Sequence, residues 1–172
     1  MIQSAAFPRT WSPPAWVGQV VEVFRRHQGV ISPQPPEASL SSEQVLAVLA
    51  GDLEGLGFRI EKMELADRRV PHRPLSAGEP PAQHYHVDVY HPQWHCCIAI
   101  EDGPAWTNDA IDQDGVEPLL VANADTLCLA VPGRVHGAGP AVSEYERALA
   151  LAQVVYSRSR SYLPHRLVLI GY

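Results

Sequence analysis

The chain has 172 residues, of which 46% are hydrophobic and 19% charged, a balance that excludes a wholly disordered or fibrous protein. That length suits a single domain with a substantial core. Thirteen basic residues against nineteen acidic ones give a formal charge of −6, which disfavours a general binder of nucleic acid or anionic membrane. The acids are also concentrated. Between Arg73 and Arg134 there is no Lys or Arg, while nine acids, from Glu79 to Asp125, fall in that window. A polyanion approaches such a surface only if metal ions or the basic remainder of the chain compensate. No apolar run approaches about 18 residues, and Met1-Ile2-Gln3-Ser4 lacks the charged start and apolar stretch of a signal peptide. A soluble, cytoplasmic protein with no membrane partner is therefore expected. Cys96, Cys97 and Cys128 have no metal-finger spacing and read as reduced, buried thiols.

Residues 1–13 read as an irregular lead-in. Ser12 then offers an N-cap with Pro13 at the first helical position, and Trp16, Val17, Val20, Val21 and Phe24 recur at helical spacing before Gly29. A Pro/Ser stretch over residues 32–39 separates this helix from a second one, opened by the capping box Ser41-x-x-Gln44. The second helix carries Val45, Leu46, Leu49, Leu53 and Leu56 on one side and is closed by Gly55 and Gly57. From Phe58 the period shortens, and residues 58–63 read as a strand. A polar loop with four prolines follows over residues 66–82.

Two further strands are expected at residues 84–91 and 96–102, joined through Pro92-Gln93-Trp94; the second is apolar on both faces and should be central. A helix over roughly residues 108–122 comes next, interrupted in its middle by Gly115 and Pro118. A buried strand over 126–131, a glycine-rich loop, a helix over about 142–157 and a closing strand over 166–171 complete the chain.

Strand alternation collects His84, His86, Asp88 and Tyr90 on one face. In an antiparallel hairpin the numbers of paired residues keep a constant sum, so the turn decides what meets Asp88. With a two-residue turn at Pro92-Gln93, Asp88 faces Cys97. With residues 92–95 all looped out, Asp88 faces Ala99 and Glu101 becomes its diagonal neighbour. Both registers bring Asp88 and Glu101 to one face. Two carboxylates gathered in this way repel unless protonated or bridged by a cation, and their hard oxygens suit Mg²⁺ or Mn²⁺.

These features resemble the PD-(D/E)XK, or restriction-endonuclease-like, nuclease superfamily. The residues that carry the resemblance are the helix ending Leu56-Gly57-Phe58, the strands Val87-Asp88-Val89-Tyr90-His91 and Ile98-Ala99-Ile100-Glu101, and a helix leading into Ala124-Asp125-Thr126-Leu127-Cys128-Leu129-Ala130-Val131-Pro132. The resemblance implies an α/β fold with an α-β-β-β-α-β core over residues 41–132, a mixed sheet flanked by helices. Residues 1–40 would then be an N-terminal helix and linker, and residues 133–172 a peripheral C-terminal helix and strand. It also implies a metal-dependent nuclease in which Asp88 and Glu101 bind Mg²⁺ or Mn²⁺ and activate a water against a phosphodiester of nucleic acid.

The superfamily's lysine is missing from its expected place. Counting from Glu101 puts Gly103 there; in the tighter register Ala99 takes the acid's place and Glu101 the lysine's. Lys62, the only lysine in the chain and on a strand expected to pair with that of Asp88, is the candidate substitute. The alternative reading is a catalytically inactive nuclease fold that binds protein or assists complex assembly, with Trp94 and Trp106 as candidate partner contacts, although packing under the loop is the commoner fate of such aromatics.

Other motifs fail. His84-x-His86-x-Asp88 resembles metallo-β-lactamase-like hydrolases, but Val89 stands where that family has a further His. The Asp112-Gln113-Asp114-Gly115 string has Ala110 and Val121 at positions where a calcium loop needs acids. No GxxxxGK, GxGxxG or GxSxG occurs. Arg68, Arg69, Arg73, Arg158 and Arg160 are the main basic clusters outside the first helix and read as solvated surface.

Overall fold

The computed structural model describes residues 1–32, 40–60, 89–101, 124–133, 143–157 and 165–172. Ten elements run in the order β1 (Gln3–Phe7), α1 (Ala15–Arg26), α2 (Gln28–Ile31), α3 (Ser42–Leu56), β2 (Arg59–Ile60), β3 (Val89–His91), β4 (Cys96–Ile100), β5 (Thr126–Val131), α4 (Glu144–Ser157) and β6 (Arg166–Gly171). The fold is α/β, built on a six-stranded mixed sheet of order β1-β6-β5-β4-β3-β2. The middle of the sheet, β4-β5-β6, is parallel, and antiparallel pairs close both sides.

Parallel strands covered on both faces must be apolar throughout, and β5 is buried at all six positions. On one face Cys96, Ile98, Cys128, Ala130, Val168 and Ile170 meet Val20, Phe24, Val45, Leu49 and Leu53 of α1 and α3. On the other, Cys97, Leu127, Leu129 and Leu169 meet Tyr145 and Ala148 of α4. Among the described residues no helix is long and apolar enough to cross a membrane.

Local chemistry accounts for the helix limits. At α3 both bonds of the capping box form: the Gln44 amide donates to Ser41 Oγ and the Ser41 amide to Gln44 Oε1. Its far end is a Schellman turn in which the Gly57 amide reaches Glu54 O at 2.9 Å and the Phe58 amide reaches Leu53 O at 3.0 Å, with Gly57 at φ 100°. Gly55 lies inside the helix. The first helix starts two residues later than the Ser12 cap suggests, because Pro14 disfavours a helical Pro13; Pro14 itself is the N-cap.

Two expectations are corrected here. Residues 3–7 form the edge strand β1, antiparallel to β6, where an irregular lead-in was expected. Nor is the last strand peripheral: β6 lies inside the sheet between β5 and β1. The helix expected over 108–122, the glycine-rich loop beyond Gly133 and the arginines at 68, 69, 73, 158 and 160 lie outside the described residues.

All three cysteines are free and buried, as their apolar sequence context suggests. Burial pushes the Cys96 and Cys97 thiols up to about 12, and Cys128, with no exposed surface, well above its ordinary value. Burial likewise takes the Tyr156 hydroxyl up to about 12. In the unfolded chain the thiols ionise near about 8.5. Above that pH the unfolded state sheds protons that the folded state keeps, so stability is complete below about 8.5 and declines as pH rises toward about 12. The urea midpoint is therefore expected to fall between about pH 8.5 and 11. A thiol-specific disulfide reagent at pH near 8 should leave all three cysteines untouched in the native protein and titrate all three once the chain is unfolded.

Candidate functional site

The hairpin β3–β4 controls what can meet Glu101. Its pairs are Val89↔Ile98, Tyr90↔Cys97 and His91↔Cys96, a constant sum of 187. This is the register in which residues 92–95 all form the turn, the one for which the resemblance gives the acid's place to Glu101, just past β4, rather than to Ala99. His95 closes the turn at φ 47°, and its carbonyl accepts the amides of Asp125 at 2.7 Å and Thr126 at 3.3 Å, tying the turn to the start of β5.

His91 holds this turn from inside. It is buried, and its Nδ1 accepts the Trp94 amide at 3.1 Å. That bond leaves the ring proton of the neutral imidazole on Nε2, which lies 3.0 Å from Leu56 O and donates to it. Leu56 is the last residue of α3, where carbonyls lack helical partners. One imidazole therefore caps the helix and fixes the hairpin turn together. The Trp94 ring stacks on His91, with centroids 3.8 Å apart, and on Trp16 at 5.4 Å, while Phe58 meets both His91 and Trp94 edge-on. Trp94, a candidate partner contact on the alternative reading, is half-buried in this stack, the packing under the loop that is the commoner fate of such aromatics.

Glu101 follows β4 at the end where the three parallel strands all finish, the edge at which α/β sheets bind ligands. It is half-buried, and both of its peptide groups are engaged: the amide donates to Ala130 O at 2.9 Å and the carbonyl accepts from the Tyr172 hydroxyl at 2.6 Å. Strand alternation gives position 101 the face of Ala99 and Cys97. On that face Tyr90 pairs with Arg59 of β2. The Tyr90 hydroxyl is raised, chiefly by burial, with the Arg59 guanidinium working in the opposite sense.

The N-terminus of α4 comes to the same edge, since Tyr145 packs where a Cβ on Gly171 would stand. There Glu144 is buried, with Oε1 3.2 Å from Arg147 and Oε2 without a hydrogen-bond partner among the described residues. The positive end of the helix stabilises that carboxylate.

Of the residues expected at the site, Glu101 lies within the described residues; Asp88 and Lys62 lie outside them, as do His84, His86, Gly103 and Trp106. Among the described residues no three His, Cys, Asp or Glu side chains gather in a way that could hold a metal ion. The sequence reading missed Tyr172 and the structural use of His91. Each depends on a partner distant in the chain, 71 and 35 residues away. Compared with protein-family models, curated proteins and solved structures, the chain matches none.

Replacing His91 by Ala leaves the Trp94 amide and the Leu56 carbonyl without their partner and empties the centre of the aromatic stack. A loss of about 2–4 kcal/mol in unfolding free energy is expected from urea titration. Substitution of exposed His95 by Gly, which relieves the left-handed backbone, should cost less than about 0.5 kcal/mol.

Proposed function

We propose that the protein is a divergent metal-dependent nuclease of the restriction-endonuclease-like type, hydrolysing phosphodiesters in nucleic acid. The observation that carries this reading is the β3–β4 register. Continued by one residue, the sum of 187 would bring Asp88 opposite Ala99, with Glu101 as its diagonal neighbour on the same face. The element order lends support: helix α3, the antiparallel run β2-β3-β4 and then β5, parallel to β4, follow the order implied by the sequence resemblance, whose helix before β5 falls outside the described residues.

Asp88 and Glu101 are the residues that would hold the metal, and their oxygen donors fit a hard divalent cation. The peptide groups of Glu101, engaged on both sides, make it a fixed donor rather than a floppy loop acid. Mg²⁺ or Mn²⁺, when bound, supplies an acidified water and polarises the phosphate. Lys62 is the cation assigned to the negative charge that develops on the phosphate. Arg59, which pairs with Tyr90, is a described cation on the same face of the sheet as position 101.

Glycine at position 103, where a lysine would complete the motif, favours a second reading: the same fold kept as a binding or assembly subunit without catalysis.

The test is Mn²⁺-dependent cleavage of plasmid, single-stranded DNA and RNA by the whole chain. Cleavage that stops with EDTA is expected, reduced at least about 10²-fold by Asp88→Ala or Glu101→Gln and about 10²–10³-fold by Lys62→Ala. Absence of both cleavage and calorimetric Mn²⁺ binding, together with stable association to another protein, would instead establish the assembly subunit.

A further inference from the structure

Tyr172 follows β6, two strands away from β4 in the sheet. It is buried, 8% exposed, and its ring lies against Phe24 of α1 with centroids 6.3 Å apart. Its backbone is fixed as well: the amide donates to Val131 O at 3.0 Å, and its carbonyl accepts the Gly133 amide. A Cβ at Gly133 would stand 3.1 Å from that carbonyl oxygen, so glycine permits the close approach. From this anchored position the side chain spans the end of β5, and its hydroxyl donates to Glu101 O at 2.6 Å. That length is normal for a neutral O–H to carbonyl bond.

The regular β4–β5 ladder ends at Ile100↔Ala130, one residue before Glu101. Beyond it the Glu101 amide still reaches Ala130 O, but the carbonyl projects past the end of β5. The Tyr172 hydroxyl meets it there. With both peptide groups of Glu101 held, the origin and direction of its side chain are defined by two partners on two neighbouring strands.

We propose that Tyr172 is a positioning residue for the Glu101 carboxylate, acting through the main chain of Glu101 and setting how tightly that carboxylate binds a divalent cation. The proposal rests on the metal-binding reading of Glu101 given above. Tyr172 touches no reacting atom; its role resembles that of the outer groups that orient metal ligands, whose loss typically weakens affinity about 10–100-fold.

The experiment is calorimetric Mn²⁺ titration of the full chain as wild type, Glu101→Gln, Tyr172→Phe and Phe24→Leu, with a thermal midpoint for each. Wild type should bind Mn²⁺ and Glu101→Gln should not. Tyr172→Phe, which removes one oxygen, should bind about 10-fold or more weakly. Phe24→Leu loosens the packing of the same ring while keeping the hydroxyl, and should lower the midpoint without weakening Mn²⁺ binding by more than about twofold. p-Aminophenylalanine at position 172 keeps the ring and returns an N–H donor; recovery of affinity with it supports the positioning role even if Tyr172→Phe folds poorly. Affinity in Tyr172→Phe equal to wild type, with Glu101→Gln inactive in binding, overturns the role of Tyr172 and leaves the metal site standing. No Mn²⁺ binding by wild type overturns both.

Discussion

A single buried imidazole decides how the β3–β4 hairpin is read. Because His91 accepts the Trp94 amide on Nδ1, its remaining proton must point at Leu56 O, so turn and helix end share one side chain. The turn then takes all four residues 92–95, and the pairing sum of 187 follows. A one-residue slip would break both bonds and turn every apolar side chain of β4 to the opposite face. Stacking of His91 between Phe58 and Trp94 adds a packing penalty to any such slip. The register at the candidate site is thus enforced from the face opposite to that of Glu101, the face that meets α1 and α3.

The parallel centre of the sheet imposes a second constraint. β4, β5 and β6 all end at one edge, and past those ends main-chain groups lose their ladder partners. At this edge Tyr172 meets Glu101 O, Gly133 meets Tyr172 O, and the first turn of α4 arrives with buried Glu144. A segment that looks like an appendage in the sequence therefore completes the edge on which Glu101 stands. The sheet would lose an interior strand, as well as this clamp, without β6.

Much of the architecture was legible because it rests on local chemistry. The capping box at Ser41 and Gln44, the glycine at 57, and the apolar runs of β5 and β6 each carry their own signal within a few residues. β1 was not legible: Gln3-Ser4-Ala5-Ala6-Phe7 has no β-branched residue and no clear alternation, and it is extended because β6 offers an edge to pair with. The position of β6 within the sheet was hidden for a related reason, since strand order is a long-range property that no window of sequence contains. At the candidate site, chemistry-bearing residue types and their alternation were readable, whereas the choice between two registers depended on His91 finding Leu56, and Tyr172 had no local mark at all.

Charge determines which of the two functional readings the site can sustain. From Glu79 to Asp125 the chain carries nine acids and no Lys or Arg; of these Glu101 is described at this edge, where Glu144 of α4 joins it, and a phosphate brought there meets two carboxylates. On the reading proposed above, a divalent cation shared by Asp88 and Glu101 would neutralise that pair and give a phosphate a counter-charge. Without a cation, the carboxylates described at this edge, Glu101 and Glu144, would favour a basic partner over a phosphate. On the proposed reading, cation affinity is the property on which catalysis and binding part company, and it would depend on how firmly the sheet holds Glu101.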